Sequence, residues 1–130
     1  MPENPILAAL ICGRVDDLPS GDFHLCPINE ITVDRTTTPD AFPRVELVLF
    51  LKVLRGAFQH VNSVTLHHTD ARNQTATLFE ESFPTRTDDL VDEGVYRFRI
   101  PVNNGYHFFD LDFGGKIVVR IPLHVRYADE

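Results

Sequence analysis

A chain of 130 residues with 43% hydrophobic content can bury one sizeable core, and no Ser/Gly-rich linker divides it, so residues 1–130 read as a single domain. The formal net charge is −7, with 12 Lys and Arg scattered singly against 19 Asp and Glu, which excludes the clustered basic footprint of a nucleic-acid binder. No apolar stretch reaches the roughly 20 residues that cross a bilayer, and Ile6 to Cys12 lacks a basic start and a small-residue cleavage site. A cytoplasmic location without membrane contact is expected.

In chain order, the run Pro5 to Val15 is apolar on both faces. Cys12 and Cys26 lie symmetrically about Pro19, inside the turn-forming stretch Asp16 to Asp22, so a hairpin centred there sets the two thiols opposite each other. In a reducing compartment they are expected to be free. The loops Asp34 to Pro43 and Glu80 to Glu93 are polar and Thr/Asp-rich, the expected place for mobility or a variable binding surface. Between Arg44 and Phe58, Leu47, Leu51, Leu54 and Phe58 fit a helical stripe, but Val45, Val48, Phe50 and Val53 leave almost no polar face. A continuous β-branched and aromatic run predicts a strand covered on both faces. Both apolar runs should therefore lie centrally in a sheet or meet a partner.

Ser63 to Thr69 places Val64 and Leu66 on one side and Thr65 and His67 on the other, and Asp70 to Gln74 supplies a turn before Thr75 to Phe79. After Gly94, Tyr96, Phe98, Ile100 and Val102 alternate with Arg97, Arg99 and Pro101, the pattern of a half-buried strand. Tyr106 to Arg126 then reads as a hairpin: His107, Phe109, Leu111 and Phe113 share one face, as do Ile117, Val119, Ile121, Leu123 and Val125. A two-residue Gly114-Gly115 turn would put these stripes on opposite faces, whereas a three-residue loop, Gly114 to Lys116, aligns them. That register predicts Phe113 opposite Ile117, Leu111 opposite Val119, Phe109 opposite Ile121, and an exposed Asp110–Arg120 ion pair.

Short alternating runs, 9 Pro, 7 Gly and no long amphipathic segment give an all-β, antiparallel β-sandwich of about seven to nine strands. The residues Asp110-Leu111-Asp112-Phe113-Gly114-Gly115-Lys116 and Arg120-Ile121-Pro122-Leu123-His124-Val125 resemble the closing hairpin of a family of small bacterial proteins of unknown function with an immunoglobulin-like sandwich. Phe42-Pro43 and Gly94-Val95-Tyr96-Arg97-Phe98 are similar to that family's middle. The resemblance implies an immunoglobulin-like fold, and no activity, cofactor or site residues.

Motifs for chemistry are absent: the chain has no phosphate-binding glycine loop, nucleophile elbow, H-E-x-x-H pair or paired C-x-x-C motif. His67 and His68 are adjacent, so a strand points them to opposite faces, and a metal site would have to join His67 to His124 or Glu81. Neither metal nor cofactor is expected. Asn73-Gln74-Thr75 matches the N-glycosylation pattern but has no meaning in a chain that is not exported. Asp110 and Asp112 alternate onto one strand face, where a hydrolase could use a carboxylate pair, although such spacing is also the ordinary way to solvate a sheet.

The reading that fits these features is a non-enzymatic protein-interaction or accessory module, with a protein partner or a second copy as its target. Small-ligand or carbohydrate binding is the alternative, weakened by 0 Trp and 3 Tyr. Val48 and Phe50 break the alternation of their strand, and Phe108 interrupts the polar stripe Tyr106, Asp110, Asp112. The expected contact surface is Val48, Phe50 and Phe108, rimmed by Tyr106, Arg97 and Arg99.

Overall fold

The computed structural model describes residues 6–34, 43–54, 63–82 and 91–128. They form β1 (Ile6–Asp17), β2 (Phe23–Pro27), β3 (Glu30–Asp34), β4 (Arg44–Leu54), β5 (Ser63–Thr69), β6 (Thr75–Ser82), β7 (Val91–Pro101), β8 (Gly105–Phe113) and β9 (Lys116–Ala128). The ambiguous run after Arg44 is a strand, because its odd-numbered side chains fill the space between two sheets. Most of the loops expected to be mobile lies outside the described residues.

One sheet has four strands in the order β2-β1-β4-β7, and the other has five in the order β3-β9-β8-β5-β6. The neighbours β4-β7 and β9-β8-β5-β6 reproduce the B-E and G-F-C-C′ adjacencies of an immunoglobulin-like sandwich. Within the five-stranded sheet β3 runs parallel to β9, so that sheet is mixed rather than antiparallel. β3 crosses over from the other sheet, and no hairpin turn dictates its direction; alternation of apolar residues carries no such information.

The core lies between the sheets. Ile11, Leu47, Leu49, Leu51, Val53 and Ile100 from the first sheet pack against Val64, Leu66, Phe109, Leu111, Leu123 and Val125 from the second. The apolar runs of β1 and β4 are indeed the two central strands of their sheet.

Both hairpins depart from their expected registers at the turn, and in both a bulge follows. In β8–β9 the turn is the two-residue Gly114-Gly115, with φ 66 and 93, the positive values of a type I′-like turn. Phe113 therefore faces Lys116 and Asp112 faces Ile117, but one residue is then skipped, and Leu111 faces Val119, Asp110 faces Arg120 and Phe109 faces Ile121 as expected. The bulge repairs what the short turn would have misaligned. Its cost is local: Ile117 is turned out to solvent, 47% exposed, while Val118, out of phase with the inward stripe, packs against the core.

In β1–β2 the pairing runs Val15↔Leu25, Arg14↔Cys26 and, past a bulge at Gly13, Cys12↔Pro27. The turn is centred on Ser20 rather than Pro19, which sets Cys26 opposite Arg14, and the bulge makes up only one residue of the difference, so the thiols are not directly opposite. Both are free.

Candidate functional site

The outer face of the four-stranded sheet should have been half polar, yet Val48 and Phe50 are 5% and 7% exposed. Phe23 explains it. Its ring meets that of Phe50 edge-on, with centroids 5.8 Å apart and planes at 66°. On β1, however, Phe23 faces Asp17 and Phe50 faces Leu10, positions that an extended strand would separate by about 23 Å. The β1–β2 hairpin therefore bends at the Gly13 bulge and folds back over its own sheet. Cys12, Val15, Phe23 and Leu25 close over Val48 and Phe50 as a second apolar cluster.

This overturns part of the expected contact surface: Val48 and Phe50 are covered by the chain's own hairpin. The expected surface is also split. Arg97 faces Val48 and Arg99 faces Glu46, so these arginines belong to the outer side of the first sheet, where they are exposed. Tyr106 and Phe108 belong to the outer side of the second sheet, on β8, opposite in phase to buried His107 and Phe109. One protomer cannot present all six together.

On the second sheet the outward residues form ordered rows. Arg120 donates through Nε and Nη2 to the two carboxylate oxygens of Asp110 at 2.8 and 3.0 Å, a bidentate pair. The Asp110 carboxylate pushes the Arg120 pKa up further, keeping the guanidinium charged. Its guanidinium carbon also lies 5.1 Å from the centre of the half-buried Phe108 ring. In the next row Asp112 accepts the Gly115 N–H at 2.7 Å and lies 3.4 Å from His67 Nε2, while His67 Nδ1 is 3.1 Å from the Thr77 hydroxyl. A neutral His67 satisfies both partners by donating to the carboxylate and accepting from the hydroxyl. Further along, the Tyr106 ring lies over His124, centroids 4.5 Å apart, and His124 Nδ1 is 3.2 Å from Glu30.

Asp110 and Asp112 do share a face, but each carboxylate is already engaged within the sheet. His67 and His124 are two strands apart with separate carboxylate partners, and among the described residues no group of three or more His, Cys, Asp or Glu is placed to hold a metal ion. What the rows leave is a shallow concavity of about 440 Å³, bordered by Thr69, Asn73, Thr75, Phe108, Asp110 and Arg120. Tyr106, at 60% exposure, and Ile117 are outward on the same face. Ile117 escaped the sequence reading because a bulge places it. The Tyr106–His124 contact was within reach, since the register that pairs Asp110 with Arg120 also pairs Tyr106 with His124.

No family model matches this chain, and no curated protein matches it. Among solved structures, the chain is similar to an immunoglobulin-like protein from Pseudomonas aeruginosa, with TM-score 0.39 and 14% identity over 92% of this chain and 97% of that one. It is also similar to the Pseudomonas fluorescens alkylpurine DNA glycosylase AlkC bound to DNA containing an abasic-site analogue, with TM-score 0.40 and 9% identity over 75% of this chain. The chain spans 27% of that enzyme's length. Likenesses this distant carry nothing about activity, and the immunoglobulin-like arrangement rests on the strand order itself.

Proposed function

We propose that this sandwich is a non-enzymatic interaction module that docks another protein on the outer face of its five-stranded sheet. The observation that carries the reading is the exposure of Tyr106 and Ile117 on the face that also holds Phe108 and Arg120. Aromatic and Arg side chains set among polar groups are the composition that interface centres favour. The ion pairs and hydrogen bonds of this face are made within the sheet, so a partner need not neutralise stranded charges.

A photo-crosslinking residue at Tyr106 should capture a protein, either a second copy or a different chain, while the same residue at Arg97 on the opposite sheet should not. Ile117→Asp, at a solvent-facing position, should leave the fold intact and abolish that capture. Capture that persists in a folded Ile117→Asp variant would reject the surface.

The concavity favours a second reading, a small polyhydroxylated ligand, because its volume lies in the range of ligand sites and Thr69, Thr75 and Asn73 ring it with polar groups. Against it, Arg120 lies over the Phe108 ring that a sugar would use as a platform. A glycan array with wild type and Phe108→Ala separates the two readings.

A further inference from the structure

Two histidines are buried where the turn after β5 meets the connection from β7 to β8. His107 is fully buried and His68 is 6% exposed. His68 Nε2 is 2.8 Å from His107 Nδ1, and His107 Nε2 is 2.8 Å from the backbone carbonyl oxygen of Asn103. A carbonyl can only accept, so His107 carries its proton on Nε2. Its Nδ1 is then the acceptor, and His68 donates from Nε2. The two rings are 5° from parallel with centroids 5.1 Å apart. Combined with the short N···N distance, that is an end-to-end hydrogen bond in the ring plane rather than face-to-face stacking. Phe109 covers one face of His68 at 5.1 Å and 19°.

The chain of bonds continues outward. Asn103 Oδ1 accepts the Ala71 N–H at 3.0 Å. Ala71 lies in the turn that Asp70 organises by accepting the N–H groups of Arg72 and Gln74, both at 2.9 Å, and in which Asn73 holds a positive φ of 67. The imidazole pair thus ties β5, β8, the β7–β8 connection and, through Asn103, the β5–β6 turn into one network.

We propose that the neutral His68–His107 pair is an acid-sensitive latch: it fixes the β5–β6 turn against the β7–β8 connection, and proton uptake by the pair releases both. A proton added to the pair, whichever ring nitrogen takes it, would place a cation in the core. The surroundings offer little to hold it. Ala76 of β6 lies across from His68, Leu123 of β9 across from His107, and Phe109 of β8 lies on the ring. From the facing sheet Phe98 of β7 packs on Phe109, with ring centroids 5.7 Å apart. Charged groups at this end include Asp70 and Arg72 of the turn and Arg44 of β4, which pairs with Pro101 at the end of β7, and Asp70 is the carboxylate that pulls toward protonation.

Burial first, and the neighbouring His107 second, lower the His68 pKa to about 4 against the opposing pull of Asp70. With the folded value below the unfolded one of about 6.5, the latch contributes in full above the unfolded pKa and is lost as pH falls toward the folded one. Across that window the folded-to-unfolded ratio should fall on the order of a hundredfold through this group alone. The latch goes beyond the interaction reading and stands without it. If that reading also holds, acid loosens the Asn73 border of the concavity.

The test is ¹⁵N NMR of the imidazoles from neutral pH downward, alongside urea unfolding of wild type and His68→Gln, whose side-chain amide keeps a donor for His107 without titrating. Both histidines are expected as Nε2–H tautomers, with His68 uncharged until below about pH 5. Wild type should lose stability more steeply than His68→Gln, and Ala71 amide exchange should accelerate as it does. A folded-state His68 titrating near its ordinary value, an Nδ1–H tautomer at His107, or identical pH slopes for the two proteins would overturn the latch. Should His68→Gln fail to fold, the wild-type imidazole titration and tautomers decide alone.

Discussion

The two outer faces of this sandwich break the same rule and meet opposite fates. On the four-stranded sheet, Val48 and Phe50 interrupt the expected polar row, and the bent β1–β2 hairpin covers them. On the five-stranded sheet, Phe108 interrupts the row Tyr106, Asp110, Asp112, and no described strand folds over it; a single arginine side chain lies above its ring. An apolar residue on the outside of a sheet is therefore not by itself a sign of a binding surface. What decides is whether another segment of the chain can reach it.

The sharpest break of that comparison is Phe50→Ala against Phe108→Ala. Truncating a buried Phe costs about 3–5 kcal/mol, so Phe50→Ala should shift the urea midpoint strongly, and Phe108→Ala, half-buried, should move it far less. Equal shifts would mean that the two faces are not different in kind.

A smaller effect is expected at the cover. Phe23→Ala removes the ring that sits edge-on against Phe50 and should cost about 1–3 kcal/mol while raising the binding of a hydrophobic dye. Unchanged dye binding would show that the hairpin does not shield Phe50.

On the open face the rows of polar partners should be tuned by which member is lost. Arg120→Ala leaves the Asp110 carboxylate, 9% exposed, without its guanidinium, whereas Asp110→Asn leaves an arginine that water already solvates. The arginine variant should therefore melt at the lower temperature of the two. The reverse order in calorimetry would contradict the assignment of Asp110 as the desolvated member.

The smallest effect is chemical rather than energetic. Cys12 lies fully buried within the second cluster, and burial pushes its thiol pKa up, while Cys26 follows Leu25 on β2 and so points away from that cluster. A thiol reagent at neutral pH should modify Cys26 first and Cys12 only as the hairpin opens. Simultaneous modification of both in the folded protein would indicate that the cover is loose.

Period-two alternation by itself determined a great deal here: the all-β class, the strands of the C-terminal half, the inward stripes Val64-Leu66 and His107-Phe109-Leu111-Phe113, and the pairing of Asp110 with Arg120, though not the burial of that carboxylate, follow from local side-chain phase. Alternation is a property of one strand, and it survives whatever the strand packs against. Bulges were not legible, because a single skipped residue leaves no mark in composition; the one opposite Leu111 sends Ile117 outward, and the shift of the first turn's centre from Pro19 to Ser20, which parts Cys12 from Cys26, was equally unmarked. The direction of β3, the burial of Val48 and Phe50 beneath a hairpin that begins at the far end of β1, and the meeting of His68 with His107 across 39 residues were decided only in three dimensions. Each depends on contacts distant in sequence, and the geometry that selects them is set by how two sheets twist, bend and close over a shared core.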